Sequence, residues 1–191
     1  FVDTPVLFKE YTTSSVIVME YINGYAIDDK EHLLEDGYDM NEIGSKYVDN
    51  FIKQVMDDGF FHADPHPGNV RIRDGKIVWI DMGLMGRLTE RDREQIAKAV
   101  EGVALNDIGM IQDAVLALGE FRGEPDPSQL YKDIRGLMAK YGTADMGNID
   151  VAEVLQDLMD VMKENKITMP HGLTMLARGL AHVEGVLADI S

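Results

Sequence analysis

The chain has 191 residues, 45% of them hydrophobic, and its 34 acidic residues outnumber 18 basic residues to give a formal net charge of -16. These values are typical of a soluble globular protein with one substantial core, and the charge excludes nucleic acid as an expected partner because it repels phosphate backbones. The absence of cysteine excludes disulfides and thiolate chemistry, and no apolar run approaches the roughly 20 residues that span a bilayer.

The first 22 residues predict two antiparallel strands. Residues 6–11 and 15–22 are rich in β-branched and aromatic side chains, and the polar residues 12–14 separate them. Two strands alone are marginally stable in water, so we expect them to need either neighbouring strands or a helical body to pack against. The first residue, Phe1, is not an initiating Met and is expected to be a cut end.

Residues 41–58 predict an amphipathic helix. Ile43, Tyr47, Phe51 and Val55 recur every four residues, which is the spacing of a buried helical stripe. We therefore expect a helix here with one buried face.

A β-hairpin is predicted around Asp74-Gly75, because this dipeptide stands between the short apolar runs 70–73 and 76–80. Counting outward from a two-residue turn places Asn69 opposite Ile80 and beside Asp81. The hairpin thus brings an amide and a carboxylate together at one end.

The chain from about residue 88 onward predicts four or five helices, which we expect to form a bundle over 88–190. Loops rich in Gly and Pro interrupt them at 119–127 and 142–148. The expected boundaries are Thr89 as an N-cap, Asn106 as an N-cap with Gly119 closing that helix, Ser128 near the next start, Asp150 with Glu153 in capping-box spacing, and a start at His171 after Pro170.

The order of polar residues around the hairpin points to phosphoryl transfer. Asp64 precedes Asn69 by five residues, the hairpin follows, and Asp81-Met82-Gly83 comes directly after it. Protein kinases space a catalytic Asp, a metal-binding Asn and an Asp-x-Gly segment in this way. Hard oxygen ligands hold Mg²⁺ on nucleotide phosphates, and a separate carboxylate orients the attacking hydroxyl.

Residues 62–69 read His-Ala-Asp-Pro-His-Pro-Gly-Asn, which resembles the His-x-Asp-x-His-Pro-Gly-Asn signature of the UbiB/AarF/ADCK atypical kinases. Residues 81–86 resemble the Asp-Phe-Gly segment of that family, with Met82 in the place of Phe, which we expect to fill an apolar slot. Residues 18–24 are similar to its hinge strand and residues 173–187 to its last kinase-domain helix.

The resemblance implies an α+β fold, a mostly helical protein-kinase-like C-terminal lobe with a hinge and a two-strand remnant of the N-terminal lobe. The expected parts are the remnant and hinge strand at 1–22 and the large lobe at 23–191, which contains the catalytic loop 61–69, the metal-binding hairpin 70–83 and the helical bundle 88–190.

The resemblance also implies a role for each matching residue. Asp64 would be catalytic, Asn69 and Asp81 would bind Mg²⁺, and ATP or ADP would bind along the hinge. The expected nucleotide-binding residues are Met19, as gatekeeper, Glu20, Tyr21 and Ile22, and the expected structural residues of the catalytic loop and its surroundings are His62, His66, Gly68 and Gly83.

The expected function is an ATP-dependent phosphotransferase or ATPase, linked by the resemblance to isoprenoid-quinone biosynthesis. The acceptor, whether a protein, a lipid, a small molecule or water, is left open. The small-lobe Lys and Glu of the family would lie before Phe1, so the isolated chain is expected to be inactive. We expect a cytoplasmic protein, membrane-peripheral only through segments outside this chain.

Two alternatives remain at this stage. The chain could be a pseudokinase-like module that binds a nucleotide or a partner without transferring phosphate. It could also be a metal-dependent hydrolase that uses His62, Asp64 and His66, although that reading needs further ligands, and His32, His171 and His182 stand beside no second ligand cluster in the sequence. Asp81 by itself could simply cap a turn.

Overall fold

The computed structural model describes residues 1–142 and 151–191. Helices predominate over small sheets, so the predicted α+β, mostly helical character is confirmed, while the assignment to one lobe of a kinase stays a prediction. The helices of these residues are α1 (Lys30–Glu35), α2 (Met40–Lys53), α3 (Glu90–Leu105), α4 (Ile108–Leu118), α5 (Pro127–Tyr141), α6 (Val151–Glu164) and α7 (His171–Ile190). The strands are β1 (Val2–Asp3), β2 (Tyr25–Ala26), β3 (Phe60–His62), β4 (Val70–Arg73), β5 (Lys76–Trp79), β6 (Met85–Arg87), β7 (Glu120–Phe121) and β8 (Ile167–Thr168).

The prediction of two regular strands near the N-terminus is wrong. The two runs do meet in antiparallel orientation, but only as a single bridge between Leu7 and Met19. Lys9–Tyr11 instead forms a 3-10 turn. The Thr12 hydroxyl donates to the Phe8 carbonyl at 2.9 Å and accepts the Val18 amide at 3.2 Å, so it replaces one backbone bond that would extend the strand pairing.

The predicted hairpin is confirmed in position and register. Asp74 and Gly75 have φ of 52° and 73°, as a two-residue turn with positive φ at both positions requires. Beyond the last strand pair, the Ile80 amide donates to the Asn69 carbonyl at 3.0 Å. The register is Val70 with Trp79, Arg71 with Val78, Ile72 with Ile77 and Arg73 with Lys76.

Two short strands extend the hairpin into a four-stranded sheet in the order β1-β5-β4-β2. β1 runs parallel to β5, and β2 runs antiparallel to β4. Each added strand has only two residues, which is too short for a sequence pattern to reveal.

The predicted helix over 41–58 is confirmed as α2, followed by a π-helical turn at Gln54–Asp58. Gly59, with φ of 62°, ends this turn in the left-handed conformation that glycine adopts readily. Tyr47 and Phe51 of the predicted stripe are fully buried against the hairpin and α7 in the main hydrophobic core.

β3 and β6 pair with each other and bring together the two ends of the segment that contains residues 62–69 and the hairpin. Phe61 stands opposite Gly86, and any side chain at Gly86 would overlap the Phe61 ring. The pairing therefore needs glycine at this position, and it fixes the two ends of residues 62–85 next to each other.

The prediction of four or five helices after residue 88 is confirmed by α3 to α7 in the described ranges. Gly119 closes α4 and His171 opens α7, as predicted. Asn106 was predicted as an N-cap, and this is wrong: it ends α3 with φ of 51°, and Asp107 caps α4 instead. The capping box predicted at 150–153 begins outside the described residues.

The last five helices pack around two cores, with α3 touching the main core through Ile96. α7 packs back onto α2 in the main core, whereas α4, α5 and α6 enclose a second one. The loop predicted at 119–127 contributes β7, which pairs with β8 beside the second core. None of the helices in the described ranges is both long and apolar enough to cross a membrane.

Replacing Thr89 with Ala should destabilise the protein by about 1 kcal/mol. The Thr89 hydroxyl accepts the Asp92 amide at 3.1 Å, and the Asp92 carboxylate accepts the Thr89 amide in return. The free energy of unfolding in urea measures the loss. Glu94→Ala on the exposed part of the same helix is the control, and equal effects of the two variants would contradict the capping role.

Candidate functional site

Asn69 is anchored to the catalytic loop through its side-chain nitrogen, and its amide oxygen has no hydrogen-bond partner among residues 1–142 and 151–191. Its Nδ2 donates to the Asp64 carbonyl at 2.9 Å. Because the amide nitrogen is engaged in this bond, the oxygen is the atom left for a ligand. The backbone bond between Asn69 and Ile80 also places Asn69 next to Asp81, as the register predicted.

Asp81 ends the hairpin in a tight turn. Its Oδ1 accepts the Gly83 amide at 2.8 Å, and a Cβ at Gly83 would lie 2.9 Å from that same oxygen. Gly83 therefore allows the turn to close on the carboxylate. The Asp81 side chain is exposed, and its Oδ2 makes no hydrogen bond to any residue in the described part of the chain.

The donor set at this end of the hairpin fits Mg²⁺. The Asn69 oxygen and the Asp81 carboxylate are hard oxygen ligands, and Mg²⁺ is commonly held by one or two protein oxygens together with substrate phosphates. Within residues 1–142 and 151–191 no three His, Asp or Glu side chains converge into a complete metal site. A metal here would accordingly take its remaining ligands from a phosphate group and water.

His62 is a buried structural residue whose two ring nitrogens are both engaged. Its Nδ1 accepts the Asp64 amide at 3.1 Å, and its Nε2 contacts the Asp81 carbonyl. The ring stacks on Trp79 at a centroid distance of 5.1 Å. Burial lowers the pKa of the His62 imidazole and outweighs the opposing effect of the bond to the Asp81 carbonyl. A neutral His62 thus links the catalytic loop to the start of the Asp-Met-Gly turn.

The engagement of His62 weakens the hydrolase alternative. A histidine must present a free nitrogen to bind zinc, and neither nitrogen of His62 is free. The expectation for Met82 is also wrong, since this side chain is 40% exposed and fills no apolar slot. Leu84, two residues later, packs against the core instead.

The catalytic loop is held by a hydrogen-bond network from α2 and the π-helical turn that follows it. Three polar residues form this network. The Tyr47 hydroxyl donates to the Pro65 carbonyl at 2.6 Å, and burial raises the pKa of this phenol so that it stays a donor. The Gln54 side chain accepts the His62 amide at 2.9 Å. Asn50 Oδ1 accepts from both Gln54 and Trp79 at 2.8 Å.

The sequence analysis did not single out Asn50 and Gln54, although a signal was present. Asn50 and Gln54 are four residues apart, and each directly precedes a residue of the apolar stripe, so they share the edge of the buried face. A buried polar residue needs hydrogen-bond partners, so amides at such positions point to a network that holds another segment in place.

His66 and Gly68 shape the turn between Asp64 and Asn69. His66 Nδ1 accepts the Gly68 amide at 3.0 Å, and a Cβ at Gly68 would lie 2.7 Å from the His66 ring. His66 Nε2 lies 3.6 Å from Asp64 Oδ2. The loop is thereby tightened around the carboxylate of Asp64, which is 26% exposed.

His182 of α7 is the functional candidate that the sequence analysis missed. Its Nε2 lies 3.3 Å from Asp64 Oδ1, although no ligand cluster was expected near it. Residue spacing could not reveal this contact, since α7 is separated from the catalytic loop by most of the chain.

The expected hinge residues lie near the turn end of the hairpin, away from Asn69 and Asp81. The Glu20 carboxylate accepts from Arg73 at 3.1 Å, next to the hairpin turn. Met19 and Tyr21 are 46% and 86% exposed, whereas Ile22 is buried. The hinge segment and the residues Asn69 and Asp81 therefore lie at opposite ends of one ribbon.

Two families match this chain in successive stretches. The ABC1 atypical kinase-like domain matches residues 1–115, and the UbiB helical domain matches residues 134–191. The first match contains the hinge segment, the catalytic loop and the hairpin. The second contains α6 and α7, so residues 173–187, which resemble the last kinase-domain helix of the family, fall within the helical-domain match.

Two curated relatives are similar in sequence to most or all of this chain. A protein of Clostridium pasteurianum named as an uncharacterized protein in the hydrogenase 1 5′ region is 38% identical over 191 residues, which is 100% of this chain and 36% of that protein. The chloroplastic protein Activity of BC1 complex kinase 8 of Arabidopsis thaliana is 35% identical over 122 residues, 62% of this chain and 16% of that protein. The chain thus spans about a third or less of the length of these two relatives.

Proposed function

Because the chain belongs to the ABC1 atypical kinase-like family, we propose that it carries the catalytic loop and metal-binding hairpin of an ATP-dependent phosphotransferase or ATPase. One observation carries this proposal. The bond from Asn69 Nδ2 to the Asp64 carbonyl frees the Asn69 oxygen beside Asp81, at the end of the ribbon where Asp64 also lies.

In this proposal the residues divide the work as in other phosphoryl-transfer sites. Asp64 orients the attacking hydroxyl or water and accepts its proton. Asn69 and Asp81 hold Mg²⁺, which when bound neutralises charge on the phosphate oxygens. The support beneath the loop, from Tyr47 and Gln54, keeps these groups in fixed positions and so lowers the cost of reaching the reactive geometry.

The dimensions of the hairpin support the proposal that a nucleotide binds along its length. β4 has four residues, which at the usual rise per residue separates its ends by roughly 10 Å. The hinge segment contacts the turn end through Glu20 and Arg73, whereas Asn69 and Asp81 lie at the other end. An extended ATP or ADP with its base at the hinge and its phosphates at Asp81 matches this arrangement.

The metabolic setting and the location are proposed from the resemblance to the family. The resemblance supports a role near isoprenoid-quinone biosynthesis and a location in the cytoplasm or at a membrane periphery. Acceptor contacts come from loops outside the motif, so a protein, a lipid, a small molecule or water all fit the same catalytic centre. The chain spans 36% of the length of the Clostridium pasteurianum relative, so the complete gene product is the protein to use for the measurements of activity.

Replacing Asp81 with Asn should weaken Mg²⁺-dependent ATP binding by about 10- to 100-fold. The change keeps the size of the side chain and its ability to accept the Gly83 amide, but removes the charge that attracts the cation. Isothermal titration with ATP, in Mg²⁺ and then in EDTA, measures the effect.

Asp74→Asn provides the matched control for this experiment. It removes the same charge from the same ribbon at the hairpin turn, where Asn tolerates positive φ. Equal Mg²⁺-dependent affinity in Asp81→Asn and the unmodified protein would remove the metal assignment. Tight Mg²⁺-dependent binding without any turnover in the unmodified protein would instead support the pseudokinase-like alternative.

A further inference from the structure

We infer that His182 of α7 is a positioning residue that holds the carboxylate of Asp64, so that the helical-domain stretch completes the catalytic site. The inference rests on the proposed function, because it assigns His182 a role through Asp64. Its basis is the 3.3 Å approach of His182 Nε2 to Asp64 Oδ1, which joins residues in two separately matched families.

α7 approaches the catalytic loop most closely at Gly179 among the glycines of this helix. A Cβ at Gly179 would lie 3.0 Å from the Phe51 ring and 3.3 Å from the His62 carbonyl, so the helix backbone passes very close to the start of the loop. Positions three residues apart share one face of a helix. His182 therefore lies on the same face of α7 as Gly179. This face is turned toward Asp64, which is two residues beyond His62.

The main chain and the side chain of Asp64 are held by different parts of the molecule. The loop fixes the main chain, because the Asp64 amide donates to His62 and its carbonyl accepts from Asn69. The carboxylate instead lies between two imidazoles, His182 at 3.3 Å from Oδ1 and His66 at 3.6 Å from Oδ2. His182 is thus the contact through which α7 restrains the carboxylate orientation.

A restrained carboxylate has a kinetic consequence. Misplacing a catalytic group by about 1 Å can cost on the order of 100-fold in rate, while leaving the binding of the nucleotide unchanged. His182 contacts Asp64 and not the proposed metal ligands. Its loss should therefore act on turnover and leave Mg²⁺-dependent nucleotide affinity intact.

The test compares His182→Leu and His182→Gln in the complete gene product, with ATP hydrolysis followed at saturating Mg²⁺ and ATP affinity measured separately. We expect His182→Leu to lower kcat by about 10- to 100-fold with the ATP Kd within about 2-fold of the unmodified protein. His182→Gln keeps an N–H donor and should recover most of the lost rate.

A second comparison separates positioning from general support of the fold. In an Asp64→Asn background, His182→Leu should cause no further loss in single-turnover rate, because the carboxylate on which it acts is gone. His171→Leu, an exposed change on the same helix, is the control for stability. If His182→Leu melts lower than this control, His182→Asn, which keeps a polar but shorter side chain, takes its place.

Three results would overturn the inference: an unchanged kcat in His182→Leu, an equal further loss in the Asp64→Asn background, or a loss confined to ATP affinity. Failure of the proposed function has a different signature. In that case Asp64→Asn itself would keep full activity, whereas failure of the inference alone leaves Asp64→Asn impaired and His182→Leu active.

Discussion

Asp64→Asn should lower the turnover of the complete protein by about 10²- to 10⁴-fold, with ATP affinity close to that of the unmodified protein. The substitution keeps the size of the side chain and leaves both backbone hydrogen bonds of Asp64 in place, to His62 and from Asn69. What it removes is the carboxylate that accepts a proton from the attacking group. Single-turnover measurements with ATP, together with equilibrium binding, separate the two effects.

The prediction for Asp64 is best tested by measuring the Asp64 and Asp81 variants together. Loss at Asp64 should act on the rate, and loss at Asp81 should act first on Mg²⁺-dependent affinity. Asp74→Asn serves as the neutral comparison for both because it lies in the hairpin turn. Full turnover in Asp64→Asn would contradict its catalytic role, and equal losses of affinity in the Asp64 and Asp81 variants would contradict the division between them.

Trp79→Ala should destabilise the protein by about 3–5 kcal/mol, which is a large part of the stability of an ordinary domain. Trp79 is 2% exposed and lies near the rings of Tyr47 and His62, with centroid distances of 5.7 and 5.1 Å. Its removal leaves a large cavity between α2 and the catalytic loop and takes one donor from Asn50. Urea unfolding measures the change in the free energy of unfolding.

Trp79→Phe separates the cavity from the hydrogen bond. The phenyl ring fills much of the space but cannot donate to Asn50, so we expect a smaller loss of about 1–3 kcal/mol. Phe121→Ala, at an aromatic residue that is 40% exposed, should change stability by no more than about 0.5 kcal/mol. A loss in Trp79→Ala no larger than that in Phe121→Ala would show that Trp79 does not support the core.

The regular local features could be read directly from the sequence. The Asp74-Gly75 turn, the register of the hairpin and the helix over 41–58 follow from patterns within a few residues, and all three are confirmed. Such patterns report conformations that neighbouring residues impose on each other. The N-terminal strands were predicted by the same reasoning and were wrong, since a Thr12 side chain took over the hydrogen bond that strand pairing needs.

The sequence predicted the part of the candidate site whose residues lie close together in the chain. The spacing of Asp64, Asn69 and Asp81 across the hairpin indicated a shared location, and the bonds from Asn69 to Asp64 and from Ile80 to Asn69 agree with it. Their roles with nucleotide and metal stay predictions. The sequence did not indicate that Asn50 and Gln54 support the loop, because a polar residue on a helix gains this meaning only once its partner is known.

What the sequence determined by itself was the hairpin, the helical stripe and the order of chemical groups around them, since each depends on contacts between residues close in the chain. The tertiary structure alone decided that α7 returns to the catalytic loop and places His182 beside Asp64. α7 packs closely on α2 at Gly179, where a Cβ would lie only 3.0 Å from the Phe51 ring. Packing of this kind depends on the shapes of two surfaces far apart in sequence, and no local pattern encodes it.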